Sequence, residues 1–373
     1  MTEDLLMMIG TRKGLWLARS DDSRDTWELD GPHFLMNDVY SCAIDTRRET
    51  PRLLVGTMSS HFGPQVFRSD DLGGSWDETP NGAIRFPDDC GATLERVWQL
   101  ALPPDEPDVV YAGTEPQGLF RSADRGETFD VVRGLLDHPH RKEWGAGYGG
   151  AAIHTVLPHG DDAGSMTVAM STGGVYQTRD GGESWDPANV GIKAYFYPDP
   201  WPEFGQCVHK VARPAGSTGR MYAQNHHGVY RTDDDAQQWV SIADGLPSDF
   251  GFSMVVDPHD ADTIYVFPLV ADGERIPPEA RARVWKSTDA GGSWTEHGEG
   301  LPADSFYAAV MRDALTVDDA TPTGVYFGAR DGSVYASRDA AESWQQVTQH
   351  LPDVMCVRAA TVPHGAVASM FGS

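Results

Sequence analysis

Basic residues are scarce in this sequence. The 29 Lys and Arg stand against 55 Asp and Glu, which gives a formal net charge of −26 over 373 residues. Phosphate backbones and anionic membrane surfaces recruit clusters of Lys and Arg, so we expect neither nucleic acid nor a membrane as a partner. We interpret the excess of acid as a solubility feature, with an acidic docking surface as the alternative.

Long apolar runs and cysteine-rich motifs are also lacking. No stretch approaches the roughly 18 apolar residues of a membrane span, and the apolar run near the N-terminus is interrupted by Arg12 and Lys13 before it reaches the length of a signal peptide. The four cysteines show no CxxC spacing, which favours reduced thiols over a disulfide framework. Together these absences predict a cytoplasmic protein.

Phosphate-binding and nucleophile motifs are absent as well. The sequence contains no GxSxG elbow and no Walker loop, and the glycines of EWGAGYGGAA lack the strand and helix that flank a dinucleotide fingerprint. Phosphoryl transfer and hydride transfer are therefore disfavoured. We expect GAGYGG to let a loop backbone fold tightly beside a channel.

What the sequence does contain is a repeat. The pattern Ser/Thr-x-Asp-x-Gly-x-Ser/Thr-Trp occurs seven times, and its copies occupy residues 20–27, 69–76, 122–129, 178–185, 232–239, 287–294 and 337–344. Three copies have lost the glycine, at Arg24, Ala236 and Ala341. Those turns either avoid a positive φ or bear strain.

The spacing of the repeat predicts the architecture. Successive closing aromatics lie 49 to 56 residues apart, about the length of one four-stranded blade. The Asp can accept N–H groups within a hairpin turn and the aromatic can pack between sheets, so we expect Trp76, Trp185 and Trp294 to be buried equivalently. The sequence predicts one all-β domain over 1–373, a seven-bladed β-propeller of four-stranded antiparallel blades. A strand near 354–362 completes the N-terminal blade and closes the ring.

These copies resemble the Asp-box (BNR) repeats of sialidase-like and sortilin-like propellers. The resemblance implies the fold and leaves the function open, since proteins with this repeat include glycoside hydrolases, sorting receptors and assembly factors. Sialidases carry an Arg-Ile-Pro motif near the first blade. Here Arg-Ile-Pro stands at 275–277, in the sixth repeat, and we interpret it as a coincidence.

Functional residues are expected on the face where the long connections 78–96, 133–151 and 186–206 emerge. Glu95 and Glu115 are candidate catalytic carboxylates of the paired kind that glycosidases use, with surface salt bridges as the alternative. His154 and His209, on inner strands, are candidate acid or base groups.

Ligand-binding candidates come from the same face. Arg12, Arg330 and Arg358 are predicted to meet at the ring closure and bind an anion. Four further candidates are expected to contact the ligand: Trp98, Tyr148, His226 and His227. No cofactor is assigned. A divalent metal held by the channel histidines, His154, His209, His226 and His227, is the alternative to hydrated imidazoles.

Aromatic residues of the long connections offer a further interpretation. Tyr195, Tyr197 and Trp201, with Trp144 and Tyr148, stack on sugar rings or simply pack the loops. Together the patterns favour a cytoplasmic small-molecule enzyme, a glycoside hydrolase or lyase-like propeller with a small polar or anionic ligand such as a carbohydrate. The rival is a non-catalytic interaction or assembly scaffold. A deep pocket lined by buried polar groups indicates the enzyme, and a broad shallow face indicates the scaffold.

Overall fold

The computed structural model describes residues 3–78, 84–147, 150–160, 162–271 and 273–364. Within these ranges the chain is all-β, with a single-turn α-helix at Arg133–Leu136 and 3₁₀ turns at Asp88–Cys90, Pro139–Lys142 and Pro278–Ala280. None of the described helices is long and apolar enough to cross a membrane.

Five antiparallel sheets are each made of four consecutive strands. The first contains β4 (Asp38–Asp45), β5 (Arg52–Ser59), β6 (Gly63–Ser69) and β7 (Asp77–Glu78). The second contains β8 (Arg96–Ala101), β9 (Val110–Glu115), β10 (Gly118–Ser122) and β11 (Asp130–Val131). The third contains β12 (Ile153–Pro158), β13 (Met166–Met170), β14 (Gly174–Thr178) and β15 (Asp186–Pro187). The fourth contains β16 (Val208–Ala212), β17 (Met221–Asn225), β18 (Val229–Thr232) and β19 (Val240–Ser241). The fifth contains β20 (Phe250–Val256), β21 (Ile264–Leu269), β22 (Val284–Ser287) and β23 (Thr295–His297).

The remaining strands come from the two ends of the chain and form one eight-stranded sheet. They are β1 (Glu3–Thr11), β2 (Gly14–Ser20), β3 (Glu28–His33), β24 (Val310–Val317), β25 (Val325–Ala329), β26 (Val334–Ser337), β27 (Gln345–Thr348) and β28 (Val354–Pro363). Strand β28 pairs antiparallel with β1 along its length and touches β24 by one parallel bridge, between Asp313 and Cys356. The expected pairing of the C-terminal segment with the N-terminal strand is therefore present.

The innermost strands are buried on both faces. Eight of the nine residues of β1 are buried, including the run from Leu5 to Ile9. A strand covered by neighbouring sheets on both sides reads as a continuous apolar run rather than an alternating one. The core accordingly lies between the sheets as a series of apolar clusters.

The Asp of the repeated pattern organises its own turn. Asp180 Oδ1 accepts hydrogen bonds from the Thr178 hydroxyl at 2.8 Å and from the Ser184 N–H at 3.0 Å, and the Gly182 N–H donates to the Thr178 hydroxyl at 3.0 Å. The corresponding Asp71, Asp124, Asp289 and Asp339 make the same contacts. The carboxylate thus satisfies backbone donors that the tight turn leaves over.

The copies that lost their glycine keep its backbone conformation. Arg24, Ala236 and Ala341 have φ values of 55°, 62° and 71°, so these turns bear strain rather than avoid positive φ. The Arg24 side chain also makes contacts outside its own turn, since its Nη1 donates to Asp318 Oδ2 at 3.2 Å.

The closing aromatics are not all buried equally, which corrects the expectation for Trp76. Trp185 and Trp294 are buried, and the Trp294 indole N–H donates to the Ile242 carbonyl at 2.8 Å, which links two sheets. Trp76 is only partly buried and packs on Phe34 and His33.

All four cysteines are free thiols, as expected from their spacing. Cys42 and Cys356 are buried on neighbouring inner strands with their sulfur atoms 3.2 Å apart.

Candidate functional site

A cavity of about 630 Å³ lies where inner strands from several sheets meet the long connections. Its wall combines guanidinium, imidazole and aromatic groups around one carboxylate. The lining residues include Arg12, Arg96, Arg275, Arg312, Arg330, Glu115, Cys207, His209, His226, Trp98 and Phe252.

Breaks in strand register aim several inner-strand side chains. The pairing of β8 with β9 shifts between Val97 and Gln99, and the pairing of β16 with β17 shifts between Val208 and Lys210. Trp98 and His209 are the residues left unpaired at these bulges. A bulge of this kind re-aims a side chain that regular alternation would place elsewhere.

Glu115, at the end of β9, is buried and is held by one hydrogen bond and one ion pair. The Trp98 indole N–H donates to Glu115 Oε2 at 2.9 Å, and Arg96 Nε lies 3.2 Å from the same oxygen. Gly150 has a φ of +94°, and a Cβ at this position would collide with the Glu115 carboxylate. The glycine-rich loop therefore approaches the carboxylate as closely as its backbone allows.

Arg312, on β24, is the most buried charge of the cavity. The residue is 5% exposed, its Nη2 donates to the Ser171 hydroxyl at 3.4 Å, and its Nε has no hydrogen-bond partner among the described residues. The guanidinium carbon lies 5.8 Å from the Trp98 ring and 5.1 Å from the Phe252 ring. Burial lowers the pKa of Arg312. A buried guanidinium with so few hydrogen bonds is an incomplete arrangement.

Other arginines surround the same space. Arg275 lies over the Phe252 ring at 5.3 Å. Arg12 and Arg330 share Asp353, whose Oδ2 lies 3.6 Å from Arg12 Nε and 3.1 Å from Arg330 Nε. Five arginines thus line the cavity, and among its described lining residues Glu115 is the only carboxylate.

A cysteine and two histidines form a second group on the wall. Cys207 Sγ lies 3.5 Å from His209 Nε2, and His209 Nδ1 lies 2.6 Å from the Gly251 carbonyl oxygen. Burial, and then Arg312, lower the pKa of His209 well below its ordinary value. Burial raises the pKa of the Cys207 thiol, although Arg312 opposes this. Together with His226, these residues bring three potential metal ligand atoms within 4.8 Å of one another.

Several residues expected from the sequence line this cavity. They are Glu115, His209, Arg12, Arg330, Trp98, His226 and His227. Tyr195 also lines it, together with Phe196. Trp144, by contrast, is buried and donates to the Tyr176 hydroxyl at 2.9 Å, so it packs a loop.

Other expected site residues lie elsewhere. Glu95 is exposed and outside the cavity, so it does not pair with Glu115 there. His154 is buried behind the lining, where its Nε2 lies 3.3 Å from the Ser171 hydroxyl. Arg358 donates to the backbone and side chain of Asp313 instead of meeting Arg12 and Arg330. Its partner is the buried acid of the neighbouring inner strand, which draws the guanidinium between the sheets. Tyr148 lies outside the described residues.

Arg96, Arg312 and Cys207 were not predicted from the sequence as ligand groups, and Arg275 was interpreted as part of a coincidental motif. An Arg on the apolar inner strand YAAVMR was the available signal for Arg312, because an arginine is rarely buried without a purpose. For Cys207, the spacing Cys-x-His at 207–209 was the available signal.

The chain matches no known family model. It is 25% identical over 336 residues to an oligoxyloglucan-reducing end-specific xyloglucanase of Emericella nidulans, which covers 77% of the chain and 39% of that enzyme. A probable enzyme of the same name from Neosartorya fischeri is 24% identical over 227 residues, covering 53% of the chain and 26% of the enzyme. The chain thus spans less than half the length of the curated relatives it matches.

Solved structures show the fold. A candidate 6-phosphogluconolactonase from Bacteroides fragilis has a TM-score of 0.59 at 10% identity, covering 95% of this chain and 98% of that one. YCF48 bound to a D1 peptide has a TM-score of 0.51 at 14% identity, covering 83% and 81%. These likenesses, with the four-stranded antiparallel sheets, identify a β-propeller.

Proposed function

We propose that this protein is a small-molecule enzyme, a glycoside hydrolase-like propeller with lyase-like chemistry, that acts on an acidic carbohydrate in the cavity. The observation that carries the proposal is Arg312, a buried guanidinium that faces the cavity and makes one hydrogen bond, of 3.4 Å, to the described residues. A bound carboxylate or phosphate would supply the acceptors that Arg312 lacks.

The proposed architecture is a closed ring of seven blades built on Asp-box repeats. The eight-stranded sheet is interpreted as two blades joined at the bridge between Asp313 and Cys356, with β28 as the innermost strand of the blade that contains β1, β2 and β3. The shared hydrogen bonds of the repeated turns support the assignment of the repeat. The free thiols support a location in the cytoplasm, where thiols remain reduced.

The shape of the cavity favours an enzyme over a scaffold. Buried polar groups, among them Glu115, His209 and Arg312, line a cavity of about 630 Å³. This volume is within the range that holds a small ligand. A protein-binding face would be broad and shallow instead.

The charge of the cavity favours an anion. Five arginines and a single carboxylate stand among the described lining residues, whereas the chain as a whole has a net charge of −26, so the lining is opposite in sign to the chain. The xyloglucanases that the chain resembles are named for a carbohydrate substrate, and the lactonase is named for the lactone of a phosphorylated sugar acid. A sugar acid is both a carbohydrate and an anion of the kind that the arginines favour.

The reaction must fit one carboxylate. Hydrolysis of a glycoside uses two flanking carboxyl groups, and Glu115 is the only one among the described lining residues. Elimination from a uronate needs only one carboxylate, which acts as the base. Arg312 and Arg275 would hold the substrate carboxylate, which makes the adjacent C–H acidic, and Glu115 would accept that proton. The C–O bond to the departing sugar then breaks as the C=C bond forms, and the departing oxygen takes the proton back from Glu115, which restores the carboxylate.

Calorimetric titration with glucuronate, galacturonate, glucose and a xyloglucan oligosaccharide tests the binding. We expect the uronates to bind best, and Arg312→Met to weaken their binding roughly 10–100-fold because a charge-assisted hydrogen bond is lost. Arg68→Met is the matched control, since Arg68 pairs with Glu127 outside the cavity, and it should leave the affinity unchanged.

The chemistry is read separately from the binding. Incubation with oligogalacturonides should produce the ultraviolet absorbance of an unsaturated uronate, and Glu115→Gln should abolish it. Tighter binding of the neutral oligosaccharide that is insensitive to Arg312→Met would contradict the anion site. Uronate binding without turnover would contradict the enzyme.

A further inference from the structure

We propose that Cys207, His209 and His226 form a binding site for a thiophilic divalent metal, with Zn²⁺ as the preferred ion. The ligand atoms of the three residues lie within 4.8 Å of one another. A sulfur and two imidazole nitrogens are a donor set that suits zinc and cobalt and does not suit Mg²⁺ or Ca²⁺. The inference goes beyond the carbohydrate proposal and stands or fails separately from it.

The distance between Cys207 and His209 fits tetrahedral coordination. With Zn–S near 2.3 Å and Zn–N near 2.0 Å, a tetrahedral angle separates sulfur from nitrogen by about 3.5 Å. The separation between Cys207 Sγ and His209 Nε2 is 3.5 Å. An S–H···N hydrogen bond has a similar length, and the cobalt spectrum described below separates the two arrangements.

The backbone fixes both segments of the site. His226 follows β17 in the turn, and its N–H donates to the Cys207 carbonyl at 2.8 Å. This bond ties the turn to the start of β16, where Cys207 and His209 are two residues apart. Three ligands from the adjoining ends of two paired strands, β16 and β17, are thereby positioned close together.

The second nitrogen of His209 is already engaged. His209 Nδ1 lies 2.6 Å from the Gly251 carbonyl, which can accept only if Nδ1 carries the proton. This tautomer leaves Nε2 with a lone pair directed at Cys207. A backbone acceptor on the distal nitrogen is the usual support of a metal-binding imidazole.

The site leaves one metal coordination position open, and the charge of its surroundings selects among metal ions. Cys207, His209 and His226 all line the cavity, so a fourth ligand can come from water or substrate, as in catalytic zinc sites. Arg312 and Arg275 line the same cavity and disfavour a bare cation. A Cys207 thiolate supplies one compensating negative charge, which favours ions that bind sulfur strongly.

The test uses the full-length protein without a histidine tag, stripped with a chelator and titrated with Co²⁺ and then Zn²⁺. We expect one equivalent of Co²⁺ to give visible d–d bands and an ultraviolet sulfur-to-cobalt charge-transfer band, and Zn²⁺ to displace it. Cys207→Ser should remove the charge-transfer band, and His226→Gln should weaken Zn²⁺ binding at least about tenfold.

Two matched variants serve as controls. Cys90→Ser changes a partly exposed cysteine outside the cavity, and His154→Gln changes a buried histidine of the neighbouring sheet that is not among the three ligands. Both should keep the cobalt spectrum. A wild-type protein that gives no charge-transfer band, or a band that persists in Cys207→Ser, overturns the site. If Cys207→Ser does not fold, the wild-type spectrum and the His226→Gln titration decide. Uronate binding by the metal-free protein is measured independently, so either proposal can fail alone.

Discussion

The carboxylate of Asp180, in a repeated turn, and the guanidinium of Arg312, in the cavity, differ in how many of their hydrogen-bonding groups have partners. Asp180 accepts hydrogen bonds from a hydroxyl and an N–H of its own turn, so its carboxylate is satisfied before any ligand arrives. Arg312 has one hydrogen bond of 3.4 Å and an Nε without a partner among the described residues. A carboxylate satisfied within its own turn stabilises that turn, whereas a buried guanidinium that faces a cavity with donors unused is suited to bind an anion. The repeat therefore explains the fold, and the cavity is the part from which function must be argued.

The largest expected effect lies on the side of the turns. Trp185→Ala should lower the free energy of unfolding by about 3–5 kcal/mol, because a buried indole leaves a large void. Trp185 is 4% exposed, and Trp201, at 51%, provides the matched control. Urea denaturation should show a change below about 0.5 kcal/mol for Trp201→Ala. Equal effects of the two substitutions would break the distinction between the buried aromatic of the repeat and the loop aromatic.

The next prediction concerns acid. Hydrogen bonds from the side chain and the N–H of Ser184 lower the pKa of Asp180 from 3.8 to about 2. A carboxyl whose pKa is lowered on folding stabilises the fold above its ordinary pKa, and that contribution is lost as the pH falls from 3.8 to about 2. The difference in urea midpoint between the wild type and Asp180→Asn should therefore shrink over this interval.

The control for this prediction is Asp244→Asn, since Asp244 is exposed and lies outside the repeated turns. The difference in urea midpoint between this variant and the wild type should stay flat across the same interval. A flat difference for Asp180→Asn as well would show that the turn does not depend on the ionised carboxylate.

The same comparison explains what could be predicted from the sequence. The repeated turns are local, so a pattern of eight residues contains most of the contacts of each turn, and its spacing gives the size of a sheet. The pairing of β28 with β1 was also predictable, because an apolar strand remained without a partner. Whether Trp76 is fully buried was not predictable, because its cover comes from Phe34 and His33 of another segment.

The cavity is less predictable because its side chains are aimed by irregular backbone. Alternation along a strand predicts which face a residue occupies only where the register is regular. The pairing shifts beside Trp98, His154 and His209, and in β24 it shifts between Val310 and Leu315, the interval that contains Arg312. Trp98 and His209 were predicted from the sequence as site residues. It could not decide that His154 lies behind the lining or that Arg312 reaches the cavity.

The smallest expected effect concerns backbone strain in the repeated turns. Ala340 has a φ of 57° in the turn of the last repeat, a conformation that costs an L residue roughly 1–2 kcal/mol. Ala340→Gly removes this strain and adds entropy to the unfolded chain, so the free energy of unfolding should rise by about 0.5 kcal/mol. Ala336→Gly, in the extended strand β26, is the control and should lower it by about 1 kcal/mol, since no strain is relieved and a buried methyl group is lost. The two changes should have opposite signs in urea denaturation. A loss of stability in both variants would mean that the left-handed turn residues are held by packing that a glycine cannot replace.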